Sequence, residues 1–450
     1  MIAAPVAVPA FSGSIENDGD RNAADKAFSH VSESDIDSIF YNYDRPGSPG
    51  CAVAVVSEGE LLFSGGYGIA NLDYGIPISP DSRFMVASLS KQFTAASLLM
   101  MEQEGLLDPD EDIRPHIPEL QHFDAPITAR QLMHHTSGLR DLYHLLSLAD
   151  IGLDNTTTRE QVLEMISRQQ RLNFSPGSRY LYSNTGYILM AELAEKLTGM
   201  SLNEYTRKHF LDPIGMDDTH WHDDTGRIVP NRVTSYRPRS FGPGRFYRDN
   251  LDRIGARGLF TTVRDFAKWE ANFTENRSNL ENFSEKMTRA GFVRQRYTIN
   301  YASGLRINWY KDQRTIGHGG SYMGFRTDYL RFPQHQFAVI VFCNQSSINP
   351  ATHSRQLADL YLRDIFNEQF RAYAGRYHNE SLNTGFDIVL DDGDLYMERD
   401  GEEPRRLLWH SNNRFRTGDW DITYYRSSGN RFDRFTIQAP QTGQITFYRQ

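Results

Sequence analysis

Hydrophobic positions along the chain predict strands near its beginning, helices in its middle and strands again towards its end. Residues 51–71, CAVAVVSEGELLFSGGYGIAN, hold two apolar runs around a polar turn and predict a β-hairpin. The strongest helical spacing follows over residues 88–105, SLSKQFTAASLLMMEQEG, and Gly105 ends it. The apolar face of this helix is formed by Leu89, Phe93, Ala96 and Met100.

The remaining pattern up to residue 370 predicts that this part of the chain forms one domain of packed layers. SDIDSIFYNYD predicts an early helix with Ser34 as its N-cap, and TARQLMHHTSGL, TREQVLEMISRQQ and TGYILMAELAEKLTG predict helices in the middle. Strand-like runs return as LRINWY, RTIGHG, RTDYLRFP and QFAVIVFCNQ, before a helix over residues 353–370. Strands from both ends therefore predict one sheet with helices covering its faces.

Residues 370–450 have a different pattern of apolar and polar positions. Short alternating runs such as FDIVL, DLYMER, DITYYR and DRFTIQ are separated by turn signals at Asp392-Gly393 and Gly429-Asn430. Fourteen aromatic residues fall in this segment, enough to fill an interior. The pattern predicts three parts: a flexible N-terminal arm over 1–30, a main domain over 31–369, and a small all-β barrel or sandwich over 370–450.

Composition and charge narrow the classes of function. In 450 residues, 39% are hydrophobic and 23% charged, as in ordinary globular proteins. The net charge of −9 argues against nucleic acid or an anionic membrane surface as a partner. Apolar runs are far shorter than the ~20 residues that a membrane span needs. MIAAPVAVPAF lacks a positive leader, which predicts a cytoplasmic protein, or a periplasmic or secreted one if the start is clipped.

Two residue types are scarce. Cys51 and Cys343 both lie in apolar strand-like runs, where a disulfide between neighbouring strands and two buried thiols are both open; the thiols are favoured. Only seven residues are lysines, so a lysine in a chemically suggestive position carries more weight.

Ser88 and Lys91 are the first candidate pair. A spacing of three places their hydroxyl and amine on one face of a helical turn. At a helix start, free N–H groups favour negative charge and help to keep the lysine neutral, so that it can take the serine proton. The plainer interpretation is a helix-capping serine beside a solvated lysine.

Tyr182-Ser183-Asn184 lies in a Pro/Gly loop that enters a helix. A phenol there can relay protons, and a carboxamide can hold a substrate carbonyl or amide. The alternative is a turn asparagine beside a half-buried tyrosine. Tyr377-His378-Asn379 repeats the pattern in the β segment, and we attribute that second copy to chance.

His318-Gly319-Gly320 follows a strand-like run. Glycines at a strand edge let a ligand backbone approach, and the next N–H, that of Ser321, can point at an oxyanion. Taken alone, a glycine-rich strand end with an incidental histidine is the better explanation of these residues.

Together and in this order, the three motifs resemble the penicillin-recognising serine hydrolases, in the branch of class C β-lactamases, D-alanyl-D-alanine carboxypeptidases and D-aminopeptidases. The resemblance covers roughly residues 35–345 and includes FMVASLSKQFTA, ITARQLMHHTSGL, FSPGSRYLYSNTGY, LDPIGMDDTHW and GARGLFTTVRDFAKW. It implies an α+β fold: an antiparallel sheet flanked by helices with an all-helical insertion, to which the chain adds a small C-terminal antiparallel β-barrel.

The resemblance also implies roles for the candidate residues. Ser88 would be the acylated nucleophile, Lys91 and Tyr182 the base pair, and Asn184 a substrate contact. Backbone N–H groups of Ser88 and Ser321 would form the oxyanion hole, beside Gly319 and Gly320. His318 stands where many relatives carry lysine; it is similar to D-aminopeptidase-like members and makes an efficient β-lactamase less expected. If His318 contacts substrate, its protonation near pH 6.5 should appear in the pH–rate profile.

The C-terminal segment looks like the lipocalin-like domains of some such peptidases, which gate the cleft or mediate assembly. No metal or other cofactor is expected, because His134-His135 and His220-Trp221-His222 lie in segments shared with a non-metal family. The prediction is a serine hydrolase that cleaves small peptides, amides or esters, in a chain able to form a homo-oligomer. The alternatives are a carboxylesterase of the same fold and a non-catalytic penicillin-binding or sensing module.

Overall fold

The structure is a computed structural model. It describes residues 30–45, 47–152, 155, 157–224, 226–238, 245–246, 254–427 and 431–450. The predicted arm over residues 1–30 lies outside this part, apart from His30. Across the described ranges, no helix is both long enough and apolar enough to span a membrane.

The main sheet has six strands, and it joins the two ends of the first predicted domain. Its spatial order is β12-β13-β14-β15-β1-β2, and the registered pairs are antiparallel. The central strands β1 and β15 are buried along their whole length, as their uninterrupted apolar runs require. The strands are β1 (Cys51–Ser57), β2 (Glu60–Tyr67), β12 (Arg306–Tyr310), β13 (Gln313–Tyr322), β14 (Phe325–Phe332) and β15 (Phe337–Cys343).

Short strands form four small accessory sheets, paired as β3-β4, β5-β9-β6, β7-β8 and β10-β11. Their bounds are β3 (Ile69–Asn71), β4 (Ile76–Pro77), β5 (Phe84–Met85), β6 (His220–Trp221), β7 (Tyr236–Arg237), β8 (Arg245–Phe246), β9 (Leu259–Thr261), β10 (Phe292–Val293) and β11 (Tyr297–Thr298).

Most of the described helices lie in the chain between the two groups of sheet strands. The described helices are α1 (Glu33–Phe40), α2 (Lys91–Gln103), α3 (Ala129–Met133), α4 (Leu142–Leu148), α5 (Arg159–Ser167), α6 (Asn184–Thr198), α7 (Leu202–Thr206), α8 (Asp212–Ile214), α9 (Val263–Glu275), α10 (Phe283–Thr288), α11 (Pro350–Tyr361) and α12 (Arg363–Phe370). A π-helical turn, Arg207–Leu211, joins α7 to α8. Helix α9 packs on β1, β2 and β15, and α2 packs against α6. The antiparallel sheet flanked by helices is therefore confirmed.

Three details differ from the sequence prediction. Ser32, not Ser34, caps α1, because its hydroxyl accepts from the Asp35 N–H while the Asp35 carboxylate accepts from the Ser32 N–H. The single helix expected over 353–370 is two helices, since the backbone at Leu362 leaves the helical region. Helix α2 has no solvated face over most of its length: polar residues such as Gln92 are as buried as Phe93.

The C-terminal segment is a closed eight-stranded antiparallel barrel, as predicted. Aromatic side chains dominate its interior, where Tyr377, Phe415 and Phe435 are buried. Asp392 and Gly393 both have positive φ, the backbone that a tight hairpin turn requires. The turn predicted at Gly429-Asn430 lies outside the described residues. The barrel strands are β16 (Gly375–Asn379), β17 (Thr384–Asp391), β18 (Asp394–Glu398), β19 (Arg405–Ser411), β20 (Arg414–Thr417), β21 (Trp420–Tyr425), β22 (Arg434–Ala439) and β23 (Gly443–Arg449).

The described chain divides into two compact units. The first runs to Ile307 and includes Ile316–Ser354; the second joins Asn308–Thr315 to Arg355–Gln450. Within the second unit, the buried Lys311 ammonium lies 2.7 Å from a carboxylate oxygen of Asp359 and donates to the Gly393 carbonyl. The second unit thus holds more chain than residues 370–450, and the folding of that segment as a domain of its own stays a prediction.

A disulfide joins the two cysteines. Cys51 in β1 and Cys343 in β15 are directly opposite in register, and their sulfurs are bonded. The favoured interpretation of two separate thiols is therefore wrong. The reason lies in the pairing: strands 292 residues apart in sequence are neighbours in the sheet, which the apolar runs alone do not reveal.

This cross-link should contribute measurably to stability, because it closes a long loop in the unfolded chain. We expect replacement of both Cys51 and Cys343 by alanine to lower the free energy of unfolding by about 2–4 kcal/mol in denaturant titrations. Reductant should destabilise the wild-type protein and leave the double variant unaffected. Equal stability of the oxidised wild type and the double variant would contradict a stabilising cross-link.

Candidate active site

Ser88 lies on a tight turn that leads into α2. The turn is a 3₁₀ helix, Ala87–Ser90, and Ala87 has a left-handed backbone with φ of +50°. Strand β13 presses against it: a Cβ on Gly320 would lie 2.7 Å from the Val86 carbonyl oxygen. The Thr327 hydroxyl donates a hydrogen bond to the same Val86 carbonyl oxygen at 3.0 Å and so fixes its position. Only glycine fits at position 320, so the motif glycine sets the distance between β13 and the serine turn.

Lys91 is buried beneath Ser88 and contacts three oxygen atoms. Its Nζ lies 2.7 Å from the Ala256 carbonyl oxygen, 2.9 Å from Asn184 Oδ1 and 3.1 Å from Ser88 Oγ. The two carbonyl oxygens can only accept hydrogen bonds. A neutral amine therefore gives its two N–H bonds to them and directs its lone pair at the serine hydroxyl.

The protonation state of Lys91 follows from its burial. Desolvation lowers its pKa to about 7, with further lowering by the positive charges of Arg306 and Arg257 and opposition from Asp141. An ordinary lysine has a pKa near 10.4 and is almost wholly charged at neutral pH. Lys91 is instead divided between its neutral and charged forms near pH 7, which is the state that a general base requires.

Tyr182 also contacts Ser88. Its hydroxyl donates to Ser88 Oγ at 2.9 Å. Burial raises the pKa of Tyr182 above its ordinary value, although the hydrogen bond with Ser88 and the charge of Arg306 oppose the rise. The phenol is therefore protonated at neutral pH. Ser88 Oγ can accept from Tyr182 while donating to neutral Lys91.

Asn184, the first residue of α6, has a fixed orientation. Its Oδ1 faces the Lys91 amine, and its Nδ2 donates to Asp141 Oδ2 at 2.8 Å. The same carboxylate oxygen accepts from the Asn184 backbone N–H at 2.6 Å. One Nδ2–H bond and one lone pair of Oδ1 are left after these contacts, enough to bind a substrate amide.

His318 in β13 is buried and held as a neutral imidazole. Its Nδ1 lies 2.6 Å from the Gly319 carbonyl oxygen, which can only accept, so Nδ1 carries the proton. Nε2 then accepts from the Tyr301 hydroxyl at 3.2 Å. Burial, with the charges of Arg306 and Lys91, lowers the pKa of His318 to about 3. The prediction that His318 titrates near pH 6.5 is therefore wrong, because desolvation lowers the pKa of the buried imidazole far below that reference value.

The structure brings Ser88, Lys91, Tyr182 and Asn184 into direct contact, and it places the third motif beside them. The ring centroids of Tyr182 and His318 are 5.9 Å apart, and His318 makes no hydrogen bond to any of these four side chains. Gly319 and Ser321 are exposed on β13, next to the buried Gly320.

Several residues of the site were not found from the sequence. Asp141 orients Asn184 and also caps α4, and its only sequence signal is that of a helix start. His135, interpreted from the sequence as a structural residue, packs with its ring centroid 4.3 Å from that of Tyr182, tilted by 39°, and its Nδ1 accepts from the Ser183 N–H. Arg306 lies over the Tyr182 ring, 5.3 Å from its centroid, with no local sequence signal at all.

The histidine pairs that raised the question of a metal are not arranged as ligand sets. Within the described ranges, no group of three or more His, Cys, Asp or Glu residues could hold a metal ion. The buried rings of His220 and His222 are 5.8 Å apart and pack against Phe260.

The chain matches known proteins over most of its length. The family model described as Beta-lactamase matches residues 27–362. A D-aminopeptidase of Gluconobacter oxydans is 28% identical over 315 residues, 70% of this chain and 59% of the relative. This chain therefore spans less than two thirds of that enzyme. Penicillin-binding protein 4* of Bacillus subtilis is 25% identical over 404 residues, 81% of this chain and 86% of the relative.

Solved structures show the same fold. The octameric penicillin-binding protein homologue from Pyrococcus abyssi aligns with a TM-score of 0.66 and 21% identity, over 93% of this chain and all of that one. The D-amino acid amidase from Ochrobactrum anthropi aligns with a TM-score of 0.60 and 22% identity, over 75% of this chain and 99% of the amidase. At these identities the likeness concerns the fold.

The lowered pKa of Lys91 predicts the pH dependence of Ser88 reactivity. Labelling by a small fluorophosphonate should rise about tenfold per pH unit below pH 7 and level off above it, because only the neutral form of the Lys91 amine can accept a proton. Labelling rates between pH 5 and 9, measured by mass spectrometry, test this. Because His318 stays neutral throughout that range, His318→Asn should leave the midpoint near 7. A midpoint near 10, or one that disappears with His318→Asn, would contradict the assignment.

Proposed function

This chain belongs to the β-lactamase family, and from that premise we propose that it is a serine hydrolase that cleaves amide bonds of small peptides through an acyl-enzyme on Ser88. One observation carries the proposal. Ser88 Oγ lies within hydrogen-bond distance of both the Lys91 amine and the Tyr182 hydroxyl, and the pKa of Lys91 is lowered to about 7. A base and a proton donor on one hydroxyl are what acyl transfer to serine needs.

In the acylation step, Ser88 Oγ attacks the substrate carbonyl carbon and its proton passes to Lys91. The carbonyl π electrons move to oxygen and form a tetrahedral oxyanion. We assign stabilisation of this oxyanion to the backbone N–H groups of Ser88 and Ser321, which the close approach at Gly320 supports. Asn184 would hold the substrate amide with the hydrogen-bonding capacity that Lys91 and Asp141 leave.

Collapse of the tetrahedral intermediate breaks the carbon–nitrogen bond. The leaving nitrogen needs a proton, and Tyr182 supplies it, because its raised pKa keeps the phenol protonated. The proton held on Lys91 then restores the phenol. In deacylation, water attacks the acyl carbon with Lys91 as base, and Ser88 Oγ leaves with a returned proton, which regenerates the enzyme.

The substrate class follows from the relatives and from His318. Among the matched proteins are D-aminopeptidases and a D-amino acid amidase, which supports small amides and peptides that carry a D-residue. At the third motif, His318 is a neutral, buried hydrogen-bonding group, so this position offers no positive charge to a substrate. A β-lactamase that depends on a cation there is disfavoured.

A serine-to-alanine change tests the nucleophile. Ser88→Ala should abolish the fluorophosphonate adduct and lower kcat on D-aminoacyl amides by about 10³-fold or more, since the variant cannot form the acyl-enzyme. Ser97→Ala is the matched control, because Ser97 lies on the same helix and only bonds its own helix carbonyl at Phe93. The adduct is located by mass spectrometry of the modified peptide.

Three outcomes would overturn or redirect the proposal. Turnover by Ser88→Ala at the wild-type rate would end it. Hydrolysis of short-chain esters with no hydrolysis of any amide would favour the carboxylesterase. A penicillin adduct on Ser88 that persists without turnover, and no hydrolysis of amide or ester, would favour the sensing module.

We also propose that the chain forms a homo-oligomer. The support is the fold, which it shares with a homologue described as octameric. One chain has a mass of 51.6 kDa, so light scattering should give a multiple of that mass at micromolar concentration. A mass of a single chain across the concentration range would contradict this.

A further inference from the structure

A second cleft lies in the first unit, between helix α3, the loop that precedes Tyr182 and the β10–β11 hairpin. Its volume is about 780 Å³, and neither side chain that bonds to Ser88 is among its described lining residues. It is therefore large enough for a small organic molecule and separate from the serine. We call it the His134 cleft, and its lining residues include Asp110, Arg130, Gln131, His134, Phe292 and Arg294.

Two consecutive histidines belong to different sites. The His135 ring packs on the rings of Tyr182 and Tyr301, at centroid distances of 4.3 and 4.4 Å. The His134 ring instead lines the cleft, and it packs so closely on Gly291 that a Cβ there would lie 2.6 Å from its Cγ. Glycine at position 291 therefore leaves the space that the His134 ring occupies.

The His134 ring is a buried hydrogen-bonding group that no neighbour uses. The residue is 7% exposed, and within the described ranges nothing donates to its ring or accepts from it. Burial lowers the pKa of His134 to about 4, aided by the charge of Arg130 and opposed by Asp110, so the ring is neutral near pH 7. A neutral imidazole has one N–H donor and one acceptor nitrogen, and buried polar groups are nearly always hydrogen-bonded. A molecule in the cleft would supply the missing partner.

The charged residues of the cleft leave one cation uncompensated. The Arg130 guanidinium donates to both carboxylate oxygens of Asp110, at 2.7 and 3.0 Å. Arg130 also lies 3.8 Å from a carboxylate oxygen of Glu102, which is not among the lining residues. Arg294 is exposed, and no carboxylate in the described part of the chain pairs with its guanidinium. Among the lining residues, Arg294 is therefore the positive charge that is left for an anionic ligand.

Backbone hydrogen bonds fix Arg294 against the neighbouring loop. The Arg294 N–H donates to the Gly177 carbonyl at 2.7 Å, and the Gly177 N–H donates to the Thr136 carbonyl at 2.8 Å. Further along the same loop, the Leu181 N–H donates to the His135 carbonyl at 3.0 Å. The hairpin, the loop and the segment that holds the two histidines are therefore joined, and the cleft between them is already formed without a ligand.

The remaining walls combine an amide with apolar surface. Gln131 Oε1 accepts from the Thr128 N–H at 3.1 Å, which fixes the side-chain amide and leaves its Nε2 as a donor. Phe292, which is 47% exposed, and Pro176 supply the apolar surface. Hydrogen-bond donors and a cation beside an exposed ring fit an organic anion better than a bare inorganic ion.

We propose that the His134 cleft is a second ligand site, which binds a small organic anion. The acidic group of this ligand pairs with Arg294 and hydrogen-bonds with His134 and Gln131, and its apolar part lies against Phe292. A guanidinium binds carboxylates and phosphates alike through paired N–H bonds, so either acidic group fits. The site goes beyond the proposed hydrolase function and does not depend on it, because no residue of the acyl-transfer machinery takes part.

Binding of a small aromatic acid tests the proposal. Calorimetric titration of the wild type with hydrocinnamate should show binding in the cleft, and hydrocinnamyl alcohol, which lacks the charge, should bind at least about tenfold more weakly. Arg294→Gln should lower the affinity for hydrocinnamate about tenfold and leave the affinity for the alcohol unchanged. His134→Phe should weaken both ligands, because it keeps a ring and removes both nitrogen atoms.

Two further acids and a control variant complete the titrations. Phenylphosphonate, compared with hydrocinnamate, shows whether the site prefers a phosphate-like group or a carboxylate. Inorganic phosphate should bind more weakly than both, because it has no apolar part. The matched control is Arg296→Gln, since Arg296 is exposed beside the same hairpin, lies over the Tyr297 ring and does not line the cleft. This variant should bind hydrocinnamate like the wild type.

Blocking the serine locates the bound acid. The affinity for hydrocinnamate should be unchanged in Ser88→Ala and in wild type whose Ser88 carries the fluorophosphonate. Four results would each overturn the inference: no binding to the wild type, loss of binding after labelling of Ser88, equal affinities of Arg294→Gln and Arg296→Gln, or inorganic phosphate binding as tightly as hydrocinnamate. If Ser88 proves not to be the nucleophile, the titrations of Ser88→Ala and Arg294→Gln still decide whether the cleft binds the acid.

Discussion

Burial of one amine is the constraint on which the site depends. Lys91 loses its hydration, and desolvation brings its pKa to about 7. The carbonyl oxygens of Ala256 and Asn184 then take its N–H bonds and leave the lone pair for Ser88. The cost of burying an amine in this way is a loss of stability that develops as the pH falls from about 10.4 to about 7, where the unfolded chain binds a proton at this lysine and the folded protein does not. At pH 7 and below, this cost is present almost in full.

The surrounding fold buries the Lys91 amine and holds Ser88 within hydrogen-bond distance of it. Helix α2 is buried around most of its surface. Gly304 lets a neighbouring backbone approach its first turn, and Gly320 lets β13 approach the turn at Val86 and Ala87 that precedes it, more closely than a side chain would allow. The left-handed backbone of Ala87 completes the turn on which Ser88 lies. These contacts link residues from four distant parts of the sequence, and they leave Ser88 partly exposed beside the fully buried Lys91.

The sequence predicted the parts whose signals are local. Alternation and apolar runs identified the hairpin at residues 51–71, the late strands and the aromatic barrel, and the spacing of Ser88 and Lys91 identified a pair that the fold brings within 3.1 Å. Properties that depend on tertiary neighbours were missed. The partnership of Cys51 with Cys343 follows from strand order, the low pKa of His318 from its burial, and the position of Arg306 from a turn packed on α2. None of these three properties produces a recognisable pattern in the adjacent sequence.

The most direct test of the account is the pKa of Lys91 itself. Selective ¹⁵N and ¹³C labelling of lysine side chains gives few signals, because the chain has only seven lysines, and Lys91→Met identifies the signal that belongs to Lys91. Titration of that signal by nuclear magnetic resonance in the folded protein should give a midpoint near 7. A midpoint near the ordinary value of about 10.4 would show a charged lysine at neutral pH and contradict the proposed role of Lys91 as the base that activates Ser88.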